Sequence, residues 1–386
     1  MTPDTIPIFV YGTLRDADVL ATVLDGAEAR LRPQPATLSD YTVLCAVDGP
    51  FPVLRTRTGA RAEGMLLTPM DREIADRLDF FEGSYDYALE TRQVETADGP
   101  VQARVYIPRA DEPDTGAPWD LEVWRRTAKP VFLEMSDELT ARQNGGTIPN
   151  RRSVLFRALQ RVNARAEAPA VLRSQAGPGA VAVEGTDRCY SGFFATEIWS
   201  YRHRLFRGGM SDILNREVFV TGDAVAVLPW DPRSDRLLLI EQVRAGLIAR
   251  GDPNPWNLEV IAGIQDRQEP PEETARREAR EEAGLALGRM VLTGRYYTSP
   301  GSLTEFITSF IAEADLSAYS PGVHGLASEH EDIRTMIVSR EEALRALDSG
   351  EARNAPLMLA LHALERQRGA LADAWSAPVA KPAAPV

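Results

Sequence analysis

Glu278, Glu281 and Glu282 are spaced so that a helix would gather them on one face roughly 100° wide. Pro270 and Pro271 suit a first helical turn, where a missing N–H costs nothing. Gly284 suits the left-handed residue that ends a helix. The spacing therefore predicts a helix over 271–283, with Ala275, Ala279 and Ala283 as a small-residue stripe able to pack against a sheet. Three carboxylates on one face repel each other and would destabilise such a helix in isolation. A hard divalent cation, which asks for oxygen ligands, is the natural compensation. The competing interpretation is a solvated Glu/Arg helix, in which Glu273, Arg277 and Glu281 form i,i+4 ion pairs.

Composition narrows the chemistry from the other side. The 386 residues hold 43 Lys+Arg against 56 Asp+Glu, a formal net charge of −13. Lysine occurs only at Lys129 and Lys381, neither in a glycine-rich phosphate loop nor in a setting suited to a Schiff base. Cys45 and Cys189 are too few for a zinc knuckle or a disulfide framework, and four histidines leave little room for a His-based metal centre. An acidic chain is a poor general nucleic-acid binder. Catalysis then falls to carboxylates, with arginine and backbone N–H groups handling anions. No apolar run reaches the ~20 residues of a membrane span. The first residues do not read as a signal peptide, so the expectation is a soluble cytoplasmic protein without membrane or nucleic-acid partners.

The elements that must position these groups are legible as hydrophobic periodicity. A buried strand over 6–15 runs into a glycine turn, and alternating stretches follow at 41–57 and 62–68. A helix starts after Asp71, and strands at 87–96 and 101–108 flank the hairpin signal Asp98-Gly99. Helical patterns extend from Trp124 to about 142 and over 152–165. The Pro/Gly/Ala-rich stretch 166–180 reads as a linker, and 376–386 as a disordered tail. The expected domains are thus 1–165 and 181–375. In the second, strands are expected at 190–206, 216–220, 224–229, 236–243, 291–298, 304–314 and 332–338, with helices at 340–348 and 355–368.

The segment from Gly263 through Glu269, Arg277, Glu278, Glu281, Glu282 and Gly284 resembles the Nudix box at every fixed position. Seven fixed matches have a chance probability on the order of 10⁻⁸ per register at ordinary residue usage. Ser191-Gly192-Phe193-Phe194, Arg216-Glu217 and Arg244 upstream, with 299–305 and 325–334 downstream, resemble the ADP-ribose pyrophosphatase branch. The resemblance implies that Glu278, Glu282, Glu331 and the Ala262 carbonyl hold Mg²⁺, with Mn²⁺ as an alternative. It implies Glu329 as general base, Arg277 orienting the glutamates, and Glu281 supporting the metal shell. Phe193 and Phe194 would sandwich adenine, while Arg216, Glu217, Arg244, Ser299, Pro300, Gly301 and Glu305 would position phosphates and riboses. The implied reaction is hydrolysis of ADP-ribose, or a related nucleoside diphosphate sugar, to AMP and ribose 5-phosphate by a homodimer. Ser302 stands where this branch has a second glycine, and Thr221 where it often has a basic residue.

Tyr11-Gly12-Thr13-Leu14, with Glu82 and Tyr85 downstream, resembles γ-glutamylcyclotransferase-like (AIG2-like) domains. A strand ending in a glycine turn exposes successive N–H groups, a nest suited to a carboxylate. The resemblance implies that Glu82 takes a proton from an α-amine, which then attacks the γ-carbonyl and forms 5-oxoproline. The competing roles are a helix-end cap or an ion pair with Arg15 for Glu82, and a metabolite-binding regulatory domain for the module. The expected architecture is α+β in two domains: a small mixed β-barrel with helices, then a Nudix α/β/α sandwich. The fused pair resembles the tellurite-resistance protein B group.

Overall fold

The computed structural model describes residues 6–47, 49, 51–83, 87–109, 114–140, 151–164, 172, 177–265 and 269–375. The chain divides into two compact units, Met1–Val181 with Arg188–Ala195, and Ala182–Asp187 with Thr196–Val386. The segment 188–195 therefore sits with the first unit, although the sequence pattern places it beyond the linker. The expected tail and most of the expected linker lie outside the described residues.

In chain order, the first unit contains β1 (Ile8–Val10), α1 (Ala17–Leu24), β2 (Gln34–Ala46), β3 (Pro52–Leu67), α2 (Arg72–Gly83), β4 (Tyr87–Thr96), β5 (Gly99–Pro108) and β6 (Asp114–Pro118). Three helices follow: α3 (Leu121–Thr127), α4 (Lys129–Thr140) and α5 (Arg151–Ala164). The strands run in the order β3-β1-β5-β4-β2-β6, and a further β2–β3 pairing closes the first five into a barrel. Only β1–β5 is parallel among the pairings given for this sheet. Phe9, Leu38, Leu54, Ala62, Val94 and Val105 make one buried cluster. On the other side Ile8, Val10, Leu14 and Leu67 pack with α1, α2, α4 and α5. Alternation along β1 thus feeds two cores, as a strand's period of two requires.

Two local signals act as expected. The Asp71 carboxylate accepts from Ile74 N–H at 2.9 Å at the start of α2. Gly99 turns the β4–β5 hairpin with φ +111°. The helix expected from Trp124 to 142 is two helices, because Ala128 leaves helical geometry (φ −122°, ψ −21°) just before Pro130. Pro130 has no N–H to return to the carbonyl of Arg126, and its fixed φ suits the first turn of α4, so the ladder breaks between the two helices.

Beyond 180 the elements are β7 (Val181–Ser191), β8 (Ala195–His203), β9 (Leu214–Val220), β10 (Ala224–Asp231), β11 (Arg236–Val243), α6 (Ala245–Arg250), β12 (Trp256–Glu259), β13 (Ile261–Ile264), α7 (Pro271–Ala283), β14 (Met290–Tyr297), β15 (Phe306–Glu313), β16 (Val323–His324), β17 (Ile333–Ser339), α8 (Arg340–Ser349) and α9 (Ala355–Trp375). The expected single strand at 190–206 is instead the end of β7, a turn at Gly192 and β8. Strands β7, β8 and β9 form a separate three-stranded sheet.

The main sheet of the second unit runs β14-β15-β10-β11-β17-β16, with β12 paired to β11 and β13 to β10. Alternation along β10 and β11 builds the sandwich. Val225, Val227, Leu238 and Ile240 face the Ala275/Ala279/Ala283 stripe of α7. Ala226, Leu228, Leu237 and Leu239 pack with Ala360, Leu361 and Leu364 of α9 on the opposite face. A stripe of alanines lets α7 lie close to the sheet, which brings its glutamates to the strand ends. No helix among the described residues is long and apolar enough to cross a membrane.

Candidate active site

Helix α7 is bounded as its sequence requires. Pro270 caps it with extended geometry, and Gly284 ends it at φ +59°. The Gly284 and Leu285 N–H groups return to the carbonyls of Arg280 (3.0 Å) and Ala279 (2.9 Å), the double closure that satisfies a helix C-terminus.

Arg277 organises the carboxylates of this helix. Its guanidinium is nearly buried; Nε donates to Glu269 Oε1 at 3.1 Å, and Nη1 to Glu278 Oε1 at 2.6 Å and Glu281 Oε2 at 3.0 Å. The i,i+4 Arg277–Glu281 ion pair exists, and it belongs to a wider cluster with Glu269 and Glu278. The Glu278 carboxyl lies directly over Gly263, where an added Cβ would overlap it. Glu282 is 3% exposed and accepts from Ala262 N–H at 3.0 Å. Burial pushes its carboxyl well above the ordinary range, and the charges of Glu278 and Glu331 push it further.

A second acidic segment reaches the same helix. Gly325 N–H donates to the Glu281 carbonyl at 3.3 Å, and Glu331 accepts from Leu326 N–H at 3.0 Å. Glu329 closes a 3₁₀ turn, Ala327–Glu329, and is exposed just before left-handed His330. Among the described residues, no three His, Cys, Asp and Glu side chains form a ready metal cage. Arg277, Ala262 N–H and Leu326 N–H each engage an oxygen of the expected ligands. The residues nonetheless fit a hard divalent cation: every side-chain donor is a carboxylate oxygen, and Glu282 holds its charge at a cost that a cation would remove.

The strand register explains the rest of the expected site. Ala224 of β10 lies between Ile264 of β13 and Ile307 of β15. The approach to α7 and the loop ending in Glu305 therefore flank the same strand end. In that loop Ser299 and Pro300 are exposed, and Ser302 carbonyl accepts from Phe219 N–H at 2.8 Å, joining the loop to β9. Gly301 is also exposed, and Ser302 is not among the positive-φ residues, so its position has no need of glycine. Thr221 N–H donates to Thr304 Oγ1 at 3.0 Å, so Thr221 helps to fasten the loop.

Arg244 of the second unit docks side-on against Glu259, with Nε–Oε1 2.8 Å and Nη2–Oε2 2.7 Å. Sequence reasoning missed Glu259; its one signal is a lone acid in the apolar run 258–264. Arg216 and Glu217 stand exposed on β9, where Arg216 donates to its neighbour's carbonyl at 2.8 Å. Phe193 and Phe194 meet edge-on at 4.8 Å between ring centroids, and Phe193 leans on Phe156 at 5.3 Å. The two rings are therefore not parallel plates, and these four residues are not joined to the carboxylate cluster by any hydrogen bond described.

The first unit has a pocket of its own. Tyr11, Thr13, Glu82, Tyr87 and Tyr106 line it, with Phe81 and Phe132 among its apolar walls. Tyr11 donates to the Tyr106 carbonyl at 2.8 Å, and the Tyr106 hydroxyl donates to Asp79 at 2.6 Å. Burial, then the Asp79 and Glu82 carboxylates, push the Tyr106 phenol far above its ordinary value, so it stays protonated. Gly12 takes φ +72°, and a Cβ there would overlap the Pro52 ring. Leu14 belongs to the core at 1% exposure and does not line the pocket. Arg15 pairs with Glu63 at 3.6 Å. Asp79 and Tyr106 were not legible as site residues, because their contact joins a helix to a distant strand.

Residues 220–361 match the Nudix domain family model. The chain is 40% identical over 200 residues to the ADP-ribose pyrophosphatase of Escherichia coli K12, covering 52% of this chain and 95% of that protein. The chain belongs to the Nudix family. The Nudix segment is also 36% identical over 197 residues to the ADP-ribose pyrophosphatase of Haemophilus influenzae, covering 50% of this chain and 90% of that one. It is 35% identical over 150 residues to the GDP-mannose pyrophosphatase of Cronobacter sakazakii, covering 39% and 77%. Ahead of the Nudix segment, residues 8–126 match the model described as gamma-glutamyl cyclotransferase, AIG2-like.

Proposed function

We propose that the second unit hydrolyses ADP-ribose, or a related nucleoside diphosphate sugar, to AMP and ribose 5-phosphate with Mg²⁺, or Mn²⁺ in its place. The observation that carries this reading is the Arg277-centred cluster, which gathers Glu269, Glu278 and Glu281, while the Gly325 N–H ties the loop that carries Glu331 to the Glu281 carbonyl. The 40% identity to an ADP-ribose pyrophosphatase favours this substrate class.

Glu278, Glu282, Glu331 and the Ala262 carbonyl would hold the cation. When bound, it supplies charge neutralisation for the pyrophosphate and lowers the cost of in-line attack on phosphorus. Arg277 fixes the orientation of Glu278 and Glu281. Glu329, exposed on its turn, accepts a proton from the attacking water as a new P–O bond forms and the bridging P–O bond breaks. Arg244, Glu305 and the 299–301 loop orient the substrate. Phe193, Phe194, Arg216 and Glu217 would act at the site of a second copy, which makes the active form a homodimer; sedimentation of the full chain as a monomer would remove that part. Incubation with ADP-ribose and Mg²⁺, with products identified by mass, tests the reaction. AMP with ribose 5-phosphate is expected. No cleavage of ADP-ribose, another ADP-sugar or GDP-mannose would overturn it.

The pocket of the first unit favours a second activity. Glu82 takes a proton from a γ-glutamyl compound's α-amine, the nitrogen attacks the γ-carbonyl, and the amide bond breaks. The proton passes to the departing amine and 5-oxoproline is left. Absence of 5-oxoproline from γ-glutamyl amines across pH would leave this unit as a metabolite-binding regulatory domain.

A further inference from the structure

Glu259 ends β12 at 3% exposure, and its carboxylate is engaged by Arg244. Both its oxygens are used: Oε1 accepts from Arg244 Nε at 2.8 Å and from Asn257 Nδ2 at 2.8 Å, and Oε2 from Arg244 Nη2 at 2.7 Å. The strand register fixes both backbones. Ile240 lies opposite Glu259, Val243 opposite Trp256, and Arg244 N–H donates to the Pro255 carbonyl at 3.0 Å. The Arg244 side chain stays 42% exposed, and its Nη1 takes no hydrogen-bond partner among the described residues. The guanidinium also lies close enough to Glu282 and Glu331 to feel their charge. An untethered cation in that place would be drawn onto one of those carboxylates, because partly buried opposite charges attract strongly.

We infer that Glu259 is a positioning residue: it holds Arg244 off the Glu282 and Glu331 carboxylates and leaves Nη1 to donate to a phosphate oxygen of the nucleoside diphosphate. An arginine suits this task because its planar fork occupies one carboxylate along one edge and keeps donors on another. Lysine, a single point charge, cannot do both. The inference rests on the pyrophosphate-hydrolase reading of the second unit.

Two measurements on the full chain test it. The first is Mn²⁺ binding by electron paramagnetic resonance, without substrate. Glu259→Gln releases Arg244 onto the carboxylates, so Mn²⁺ affinity falls about tenfold, and adding Arg244→Ala restores it. The second is steady-state hydrolysis of ADP-ribose. Glu259→Gln raises KM about tenfold with kcat within about threefold, and in the Arg244→Ala background it costs nothing more. Arg244→Lys raises KM similarly and serves where Glu259→Gln does not fold. Unchanged Mn²⁺ affinity in Glu259→Gln, multiplying losses in the double variant, or a wild-type KM in Arg244→Lys would each overturn the inference. A chain that shows the Mn²⁺ pattern yet leaves ADP-ribose intact defeats the substrate reading and keeps this one.

Discussion

The Gly325 backbone N–H donates to the carbonyl of Glu281, a bond that ties the loop carrying Glu329 and Glu331 to the carboxylate helix. Gly325 holds φ +109°, and a Cβ there would stand 2.6 Å from the Cβ of Glu331. Gly325→Ala therefore strains the backbone by about 1–3 kcal/mol and pushes Glu331 out of place. The expected result is a fall in kcat on the order of 10–100-fold with the chain still folded. A variant with wild-type kcat would show that the loop's placement does not matter to the reaction.

Glu282→Gln separates the stability role of the carboxylate cluster from its chemical role. Burial, with Glu278 and Glu331 nearby, pushes the Glu282 carboxyl well above its usual range. Its ionised form is therefore a cost to the metal-free fold at neutral pH. The neutral amide removes that cost while keeping the shape. Metal-free Glu282→Gln should melt no lower than wild type, and its hydrolysis should fall about a thousandfold or more through loss of cation-assisted chemistry. A clearly lower melting temperature together with retained activity would reverse both assignments.

Much of this site was legible because its determinants are local. Pro271 and Gly284 bound α7, the alanine stripe seats it, and Arg277 reaches Glu278 and Glu281 within about one turn. Glu259 was not legible, since its partner Arg244 is reached only through strand pairing. The same holds for Asp79 and Tyr106 in the barrel. The grouping of 188–195 with the first unit follows from contacts such as Arg157 Nη1 to the Phe193 carbonyl at 2.9 Å, which no periodicity encodes.

Gly12→Ala tests the pocket of the first unit. Left-handed backbone at φ +72° and the overlap with Pro52 act together at this position. The cost should exceed about 1 kcal/mol, because an alanine must be accommodated against both strain and a packed ring. Chemical denaturation of the full chain, read at the tryptophans of α3 and its approach, should show an earlier transition. Unfolding at the wild-type denaturant concentration would mean that Pro52 yields freely and the turn is not constrained.

The buried pair Glu138–Arg157 predicts how the first unit responds to acid. Arg157 Nη2 meets Glu138 Oε1 at 2.6 Å, with the residues 0% and 1% exposed. Burial alone would raise the Glu138 carboxyl, but the Arg157 bond and the charges of Arg157, Arg188 and Arg161 outweigh it and hold the group below its ordinary 4.5. A depressed folded value means that the unfolded chain takes up the proton first. The pair's stabilisation is thus fully present above about pH 4.5 and is lost as pH falls through the folded value. Glu138→Gln leaves Arg157 buried without its counter-charge, which costs about 3–5 kcal/mol at pH 7. The gap between variant and wild type should narrow steadily below about pH 4, as the unfolded wild-type chain takes up the Glu138 proton ahead of the folded one. Denaturant unfolding from about pH 7 to about pH 2 checks this, and a gap that stays constant across the range would show that folding does not lower the Glu138 carboxyl.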